Sequence, residues 1–173
     1  MVSNISNEEL IEAVKELELD EIVDILQNLP EERMNKILSN MSLVDRKRIE
    51  IGLTFPDNTA GGLLNTDVIS VRPNNSINEV ISYLRDQTNL PENTDKIFVV
   101  NNENEYLGEL LISKIITSKP TMLVREIMET EFLPIDADLN DKEVATLFER
   151  NDLISSSVVD KDGKLIGRIT IDD

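Results

Sequence analysis

The chain has neither cysteine nor histidine. The first absence excludes disulfides and cysteine-ligated zinc. The second removes the commonest general base and the commonest transition-metal ligand. Any metal here would be held by oxygen, which favours Mg2+ or Ca2+. Catalysis would rest on carboxylates, Ser or Lys, and no triad or supported Ser-x-x-Lys pattern is present, so no enzyme is expected. Tryptophan is also missing and aromatics make up 3%, so the 40% apolar fraction must build its core from Leu, Ile and Val. No apolar run approaches the roughly 20 residues of a membrane helix. Met1-Val2-Ser3-Asn4 lacks the basic start and apolar core of a secretion signal. A soluble, cytoplasmic chain is the expectation. Basic residues are scarce: 17 Lys and Arg face 34 Asp and Glu, a net charge of −17 in 173 residues. Such a chain repels phosphate backbones, so nucleic acid is excluded as a partner. It suits cations, although most of these acids serve only solubility.

What is present is repetition. Ser157-Val158-Val159 and Leu165 to Ile171 are short apolar runs separated by Asp160-Lys161-Asp162-Gly163, a β-hairpin pattern with Gly where positive φ is cheap. Phe98-Val99-Val100 and Tyr106 to Ile112 repeat it, with Gly108 in the place of Gly167. Upstream, Asp67 to Val80 parallels Glu131 to Val144. The copies are offset by 64 residues there (Val80, Val144) and by 59 at the hairpins (Gly108, Gly167), which puts five extra residues in the first copy near Leu90-Pro91-Glu92-Asn93-Thr94. Each copy reads as strand, helix, strand, strand and a short helix. Ser76 and Glu79 form a capping box for the first helix, with Val80, Ile81 and Leu84 as its buried face. Val124-Arg125-Glu126-Ile127-Met128 reads as a helical lead-in to the second copy, and Val144, Leu147 and Phe148 as its helix face. Ser155-Ser156-Ser157 reads as strand-edge sequence.

Residues 1–53 read as short helices. Ser6 or Asn7 caps the first, Pro30 opens another and Ser42 caps a third. Helices this short must stack on one another as a small superhelix. Residues 54–66 read as a linker, because Pro56 and the Gly61-Gly62 pair break helices and match no phosphate-binding fingerprint. The fold class is therefore α+β: a short all-α superhelical domain, then units at 67–119 and 120–173.

The paired units resemble tandem CBS domains, of β-α-β-β-α type. Gly167-Arg168-Ile169-Thr170-Ile171-Asp172-Asp173 is similar to that family's Gly-x-x-Thr/Ser-x-x-Asp signature. The resemblance implies that Thr170 meets nucleotide phosphate and Asp173 meets ribose. Leu111 and Lys114 stand at those places in the first copy and depart from the pattern. The Leu-Pro/Asp-Glu-Glu helical units, then Pro56-Asp57-Asn58-Thr59-Ala60-Gly61-Gly62-Leu63-Leu64, then two CBS units resemble the cytosolic part of MgtE-type magnesium transporters. That resemblance implies a homodimer through the CBS domains at the cytoplasmic face of the membrane, with a transmembrane pore domain beyond residue 173. It also implies a gate that closes when Mg2+, with Ca2+ or Mn2+ as substitutes, bridges acids between domains. Asp152, Asp173 and Asp172 are the implied ion contacts, with Glu149 one helical turn before Asp152. Asp20, Asp24, Glu31 and Glu32 are the implied partners in the helical domain, and ATP is a further implied ligand. The competing reading is an adenine-nucleotide-sensing CBS module that controls another partner.

Overall fold

The computed structural model describes residues 5–14, 16–17 and 19–173, without the side chains of Leu19, Asp20, Val44 and Arg48. Four helices come first: α1 (Asn7–Val14), α2 (Leu19–Gln27), α3 (Glu31–Ser39) and α4 (Leu43–Thr54). Ser6 starts α1 through a reciprocal cap, its Oγ accepting from the Glu9 amide and its own amide donating to the Glu9 carboxylate. Pro30 precedes α3 directly, and Ser42 accepts from the Asp45 amide at the start of α4. None of the first three exceeds 9 residues, so their stability comes from packing. α1 lies against α3 and α2 against α4, the alternating stack of a small superhelix. Leu10, Val14, Leu26, Ile37, Leu38 and Ile49 fill its core.

The remainder is two matching α/β units. In the first, β1 (Ser70–Val71), β2 (Lys96–Val100) and β3 (Tyr106–Leu111) form a sheet in that order, with α6 (Ile77–Asp86) between β1 and β2 and α7 (Ile112–Thr117) after β3. In the second, β4 (Ile135–Asp136), β5 (Ser155–Val159) and β6 (Leu165–Thr170) repeat the order, with α9 (Asp141–Asn151) between β4 and β5. The registers coincide: Val71 pairs with Val99 as Ile135 pairs with Val158, and Phe98 with Glu109 as Ser157 with Arg168. Asn104 and Gly163 take the same positive-φ place in the two hairpins.

The lead-in helices, α5 (Ala60–Leu63) and α8 (Val124–Ile127), are exchanged between units. The Val124 and Arg125 amides donate to the carbonyls of Asn75 and Pro73, while those of Ala60 and Gly61 donate to Leu139 and Ala137. This corrects the expectation of a helix-free linker, because α5 is the first unit's own lead-in. The glycines serve close packing there rather than helix breaking. A Cβ on Gly61 would lie 2.2 Å from Cγ of Phe55. Gly108 and Gly167 do the same at the sheet edges, where an added Cβ would come within 2.5 Å of the Glu129 carbonyl and 2.6 Å of the Asn65 carbonyl.

Each unit has its own core. Ile77, Val80, Ile97, Val99 and Leu110 form the first, and Ile135, Val144, Phe148, Val158 and Ile169 the second. Phe98, Val100, Tyr106, Val159 and Leu165 close the seam between them. Ser155, Ser156 and Ser157 lie on the central strand of the second sheet and are buried, so they are not edge residues.

Candidate functional site

Between the helical domain and the paired units lies a cleft of about 1150 Å³. Asn40, Met41, Ser42 and Asp45 line it from the helical side; Asp67, Glu92, Asn93, Arg168, Thr170, Asp172 and Asp173 line it from the other. Among the described residues, five carboxylates and one cationic side chain thus line it.

The arrangement grows out of β6. Arg168 sits on its inner face and is 5% exposed. Its Nη2 donates to the Glu92 carbonyl at 2.7 Å and its Nη1 to the Asn93 carbonyl at 3.2 Å, while Nε is buried without a hydrogen-bond partner. Burial pulls the guanidinium pKa down, against the opposing pull of Asp173, Asp95, Asp172 and Asp67. Asn93 holds a left-handed conformation, φ 54°, which Asn tolerates better than most residues. Its side-chain amide donates to Asp172 at 2.9 Å.

Two residues beyond Arg168, the Thr170 hydroxyl lies 2.6 Å from the Asp172 carboxylate and 2.9 Å from that of Asp173. The Thr170 amide donates to Asp173 at 2.7 Å. One hydroxyl has one proton, so Thr170 is committed to its own chain's carboxylates. The Thr170 hydrogen bond is the main reason the Asp172 carboxyl is held below its usual range, helped by a backbone amide and by Asn93. Across the seam, the Ser155 hydroxyl donates to Asp95.

A second cleft, about 440 Å³, lies between the units and is lined by Lys96, Glu109, Glu131, Phe132, Asn151 and Ser156 among others. The Lys96 ammonium is 3.4 Å from Glu109 and 3.9 Å from Asp95. Lys114 is ion-paired with Glu129.

The structure therefore brings together Thr170, Asp172 and Asp173. Asp152 caps α9 in a left-handed conformation, with Glu149 a turn before it, and neither lines either cleft. Asp24, Glu31 and Glu32 do not line the first cleft either, and the side chain of Asp20 lies outside the described residues. Asp45, Asp67 and Glu92 are wall residues that sequence reasoning missed. Glu92 alone carried a signal, its place in the first copy's extra residues. Among the described residues no three carboxylates converge as a closed metal site. Mg2+ keeps several waters and needs only one or two carboxylates, so the carboxylates of these mixed polar and apolar walls suit a hydrated ion better than a dry cage.

Comparison with known proteins agrees with this architecture. The MgtE intracellular N domain matches residues 1–58, and the CBS domain matches residues 60–119 and 124–173. The magnesium transporter MgtE of Thermus thermophilus is 30% identical over 158 residues, 90% of this chain and 35% of that protein. MgtE of Bacillus subtilis is 23% identical over 93% of this chain and 36% of its own length. The chain thus spans about a third of these relatives. The crystal structure of the cytosolic domain of the Mg2+ channel MgtE in complex with ATP superposes with a TM-score of 0.84 at 27% identity, covering 99% of this chain and 75% of that one.

Proposed function

The chain belongs to the CBS-domain family, with an MgtE intracellular N domain ahead of its CBS pair, and on that premise we propose that it is the Mg2+-responsive regulatory region of a magnesium transporter. The acid-lined cleft carries the reading. Asp45 on one wall and Glu92, Asp172 and Asp173 on the other repel as the helical domain approaches the CBS pair. A divalent ion supplies positive charge between the walls when bound. Asp45, Asp67, Asp172 and Asp173 would hold it, mainly through water. Relief of the repulsion favours the compact arrangement, and its return separates the domains. In a full-length homodimer this opening would be passed to a membrane domain beyond Asp173. Among the described residues no helix is long and apolar enough to cross a membrane, so the membrane part belongs to the proposal. The role is regulatory, not catalytic.

A nucleotide reading stands behind it, supported by the ATP-bound relative and by Thr170 and Asp173 in the cleft. It is the weaker one, because the Thr170 hydroxyl already serves Asp172 and Asp173 and five acids disfavour a triphosphate.

Small-angle scattering over a Mg2+ titration to tens of millimolar, against NaCl at matched ionic strength, tests the reading. Compaction is expected with Mg2+ and not with NaCl. Indifference to Mg2+ together with tight AMP or ATP binding would move the assignment to a nucleotide sensor.

A further inference from the structure

Among the described residues Arg168 is the cleft's one cation, and it does something the acid-lined walls do not require. It reaches out of the second CBS unit and grips the backbone of the first at Glu92 and Asn93. The gripped segment is the first unit's extra length: residues 87–95 join α6 to β2, whereas 152–154 join α9 to β5. The grip has further points. Asn93 donates to Asp172 at 2.9 Å, and Ser155 of β5 donates to Asp95. The loop is therefore tied to the second unit where the chain leaves it. The pseudo-symmetric position to Arg168 is Glu109, which pairs with Lys96 inside its own sheet. At this pair of equivalent positions, a cation crosses the seam from the second unit and an acid stays within its own sheet in the first.

Burying a guanidinium is costly unless charge and hydrogen bonds offset it. Two carbonyls and the carboxylates of Asp173, Asp95, Asp172 and Asp67 supply that offset. The dependence runs both ways, since without Arg168 Asp95 would face Asp172 and Asp173 across the seam.

We propose that Arg168 is a tethered cation that latches the loop, at Glu92 and Asn93, to the end of the second CBS unit without metal. The CBS pair is then held shut permanently, and the joint with the helical domain is left as the ion-responsive one. This last step rests on the functional reading above; the latch itself does not.

The test is amide hydrogen exchange on the whole chain, in EDTA and in Mg2+, for wild type, Arg168→Gln and Arg168→Lys. In wild type, amides of residues 87–95 and 169–173 should be protected equally in both buffers. In R168Q they should exchange at least about tenfold faster in EDTA, the loss of two charged hydrogen bonds, and recover in Mg2+ as the ion replaces the missing charge. R168K keeps the charge without the two-pronged grip and should fall between. Equal exchange in wild type and R168Q in EDTA would overturn the latch, as would Mg2+ protecting this loop to the same degree in both. If R168Q does not fold, the comparison of R168K with wild type decides, and unchanged exchange in R168K overturns the grip. Because the latch is read in EDTA, its failure leaves the Mg2+-driven compaction of wild type untouched, and the converse also holds.

Discussion

Glu109 and Arg168 occupy one position in the two CBS units, opposite Phe98 and Ser157 in the same register, and carry opposite charges. The backbone treats them alike. Glu109 exchanges hydrogen bonds with Glu129, and Arg168 with Asn65. The side chains do not follow: Glu109 pairs within its sheet with Lys96, and Arg168 crosses to the other unit. A frame with near two-fold symmetry thus carries opposite charges with different partners at equivalent positions.

The Lys96–Glu109 pair gives the first prediction. The Lys96 side chain is 8% exposed and that of Glu109 19%. Lys96→Met leaves a mostly buried carboxylate without its nearest cation and should lower stability by about 2–3 kcal/mol. Adding Glu109→Gln removes the orphaned charge and should recover much of that. Urea unfolding of the two variants reads the difference, and a double variant no better than K96M would show that the pair has no such coupling.

Gly61 gives the second. Its Cβ would meet Cγ of Phe55 at 2.2 Å and Cβ of Phe55 at 2.5 Å, close to the backbone, where a ring cannot swing aside. Gly61→Ala should therefore destabilise by about 1–3 kcal/mol, although Ala normally favours helix over Gly. The urea midpoint should fall with an unchanged slope. A stabilised variant would mean that α5 can lift from Phe55 freely.

The hairpins, the capping box of α6 and the two-copy frame were legible because alternation and cap chemistry are local. α5 was not, because Gly61-Gly62 reads as a breaker when only propensity is consulted. The 64-residue offset that equates Val80 with Val144 also equates Ala60 with Val124, so the repeat itself held the missing signal. Arg168 looked like a filler in the Gly-x-x-Thr pattern. Its burial depends on a loop 76 residues away, and no local pattern reports that. Ser155 to Ser157 were misjudged for a related reason. Small polar residues mark edges in isolation, but here they sit where two sheets meet, and Ser155 is fully buried with Asp95 as its acceptor. Asp45 and Asp67 became wall residues only through the docking of one domain on another.

The third prediction concerns acid. Asp172 has a folded-state pKa held below its ordinary 3.8, chiefly by Thr170. A depressed carboxyl stabilises the fold above its unfolded pKa, and that contribution is lost as pH falls through the folded value. From neutral pH down to about 4, the gap in stability between wild type and Asp172→Asn should stay constant, and below that it should close. Chemical denaturation at stepped pH measures the gap. A gap that already closes near pH 6 would mean that another group controls it.

The last prediction separates the two sets of acids in the helical domain. Asp24, Glu31 and Glu32 were implied by resemblance, whereas Asp45 lines the cleft that faces Asp67, Asp172 and Asp173. Coulomb repulsion between exposed charges is screened within roughly 8–10 Å at ordinary ionic strength. An acid that does not face the opposite wall therefore adds little to the closure barrier. Asp45 also accepts from the Ser42 hydroxyl at the start of α4, a contact Asn can keep. Asp45→Asn should make the chain more compact before Mg2+ is added and shrink the further change on titration, while Asp24→Asn should leave both close to wild type. Scattering on the two variants in parallel decides it. If Asp24→Asn moves the curve and Asp45→Asn does not, the working cleft is not the one these walls form, and the ion would have to act on the outer face of α2.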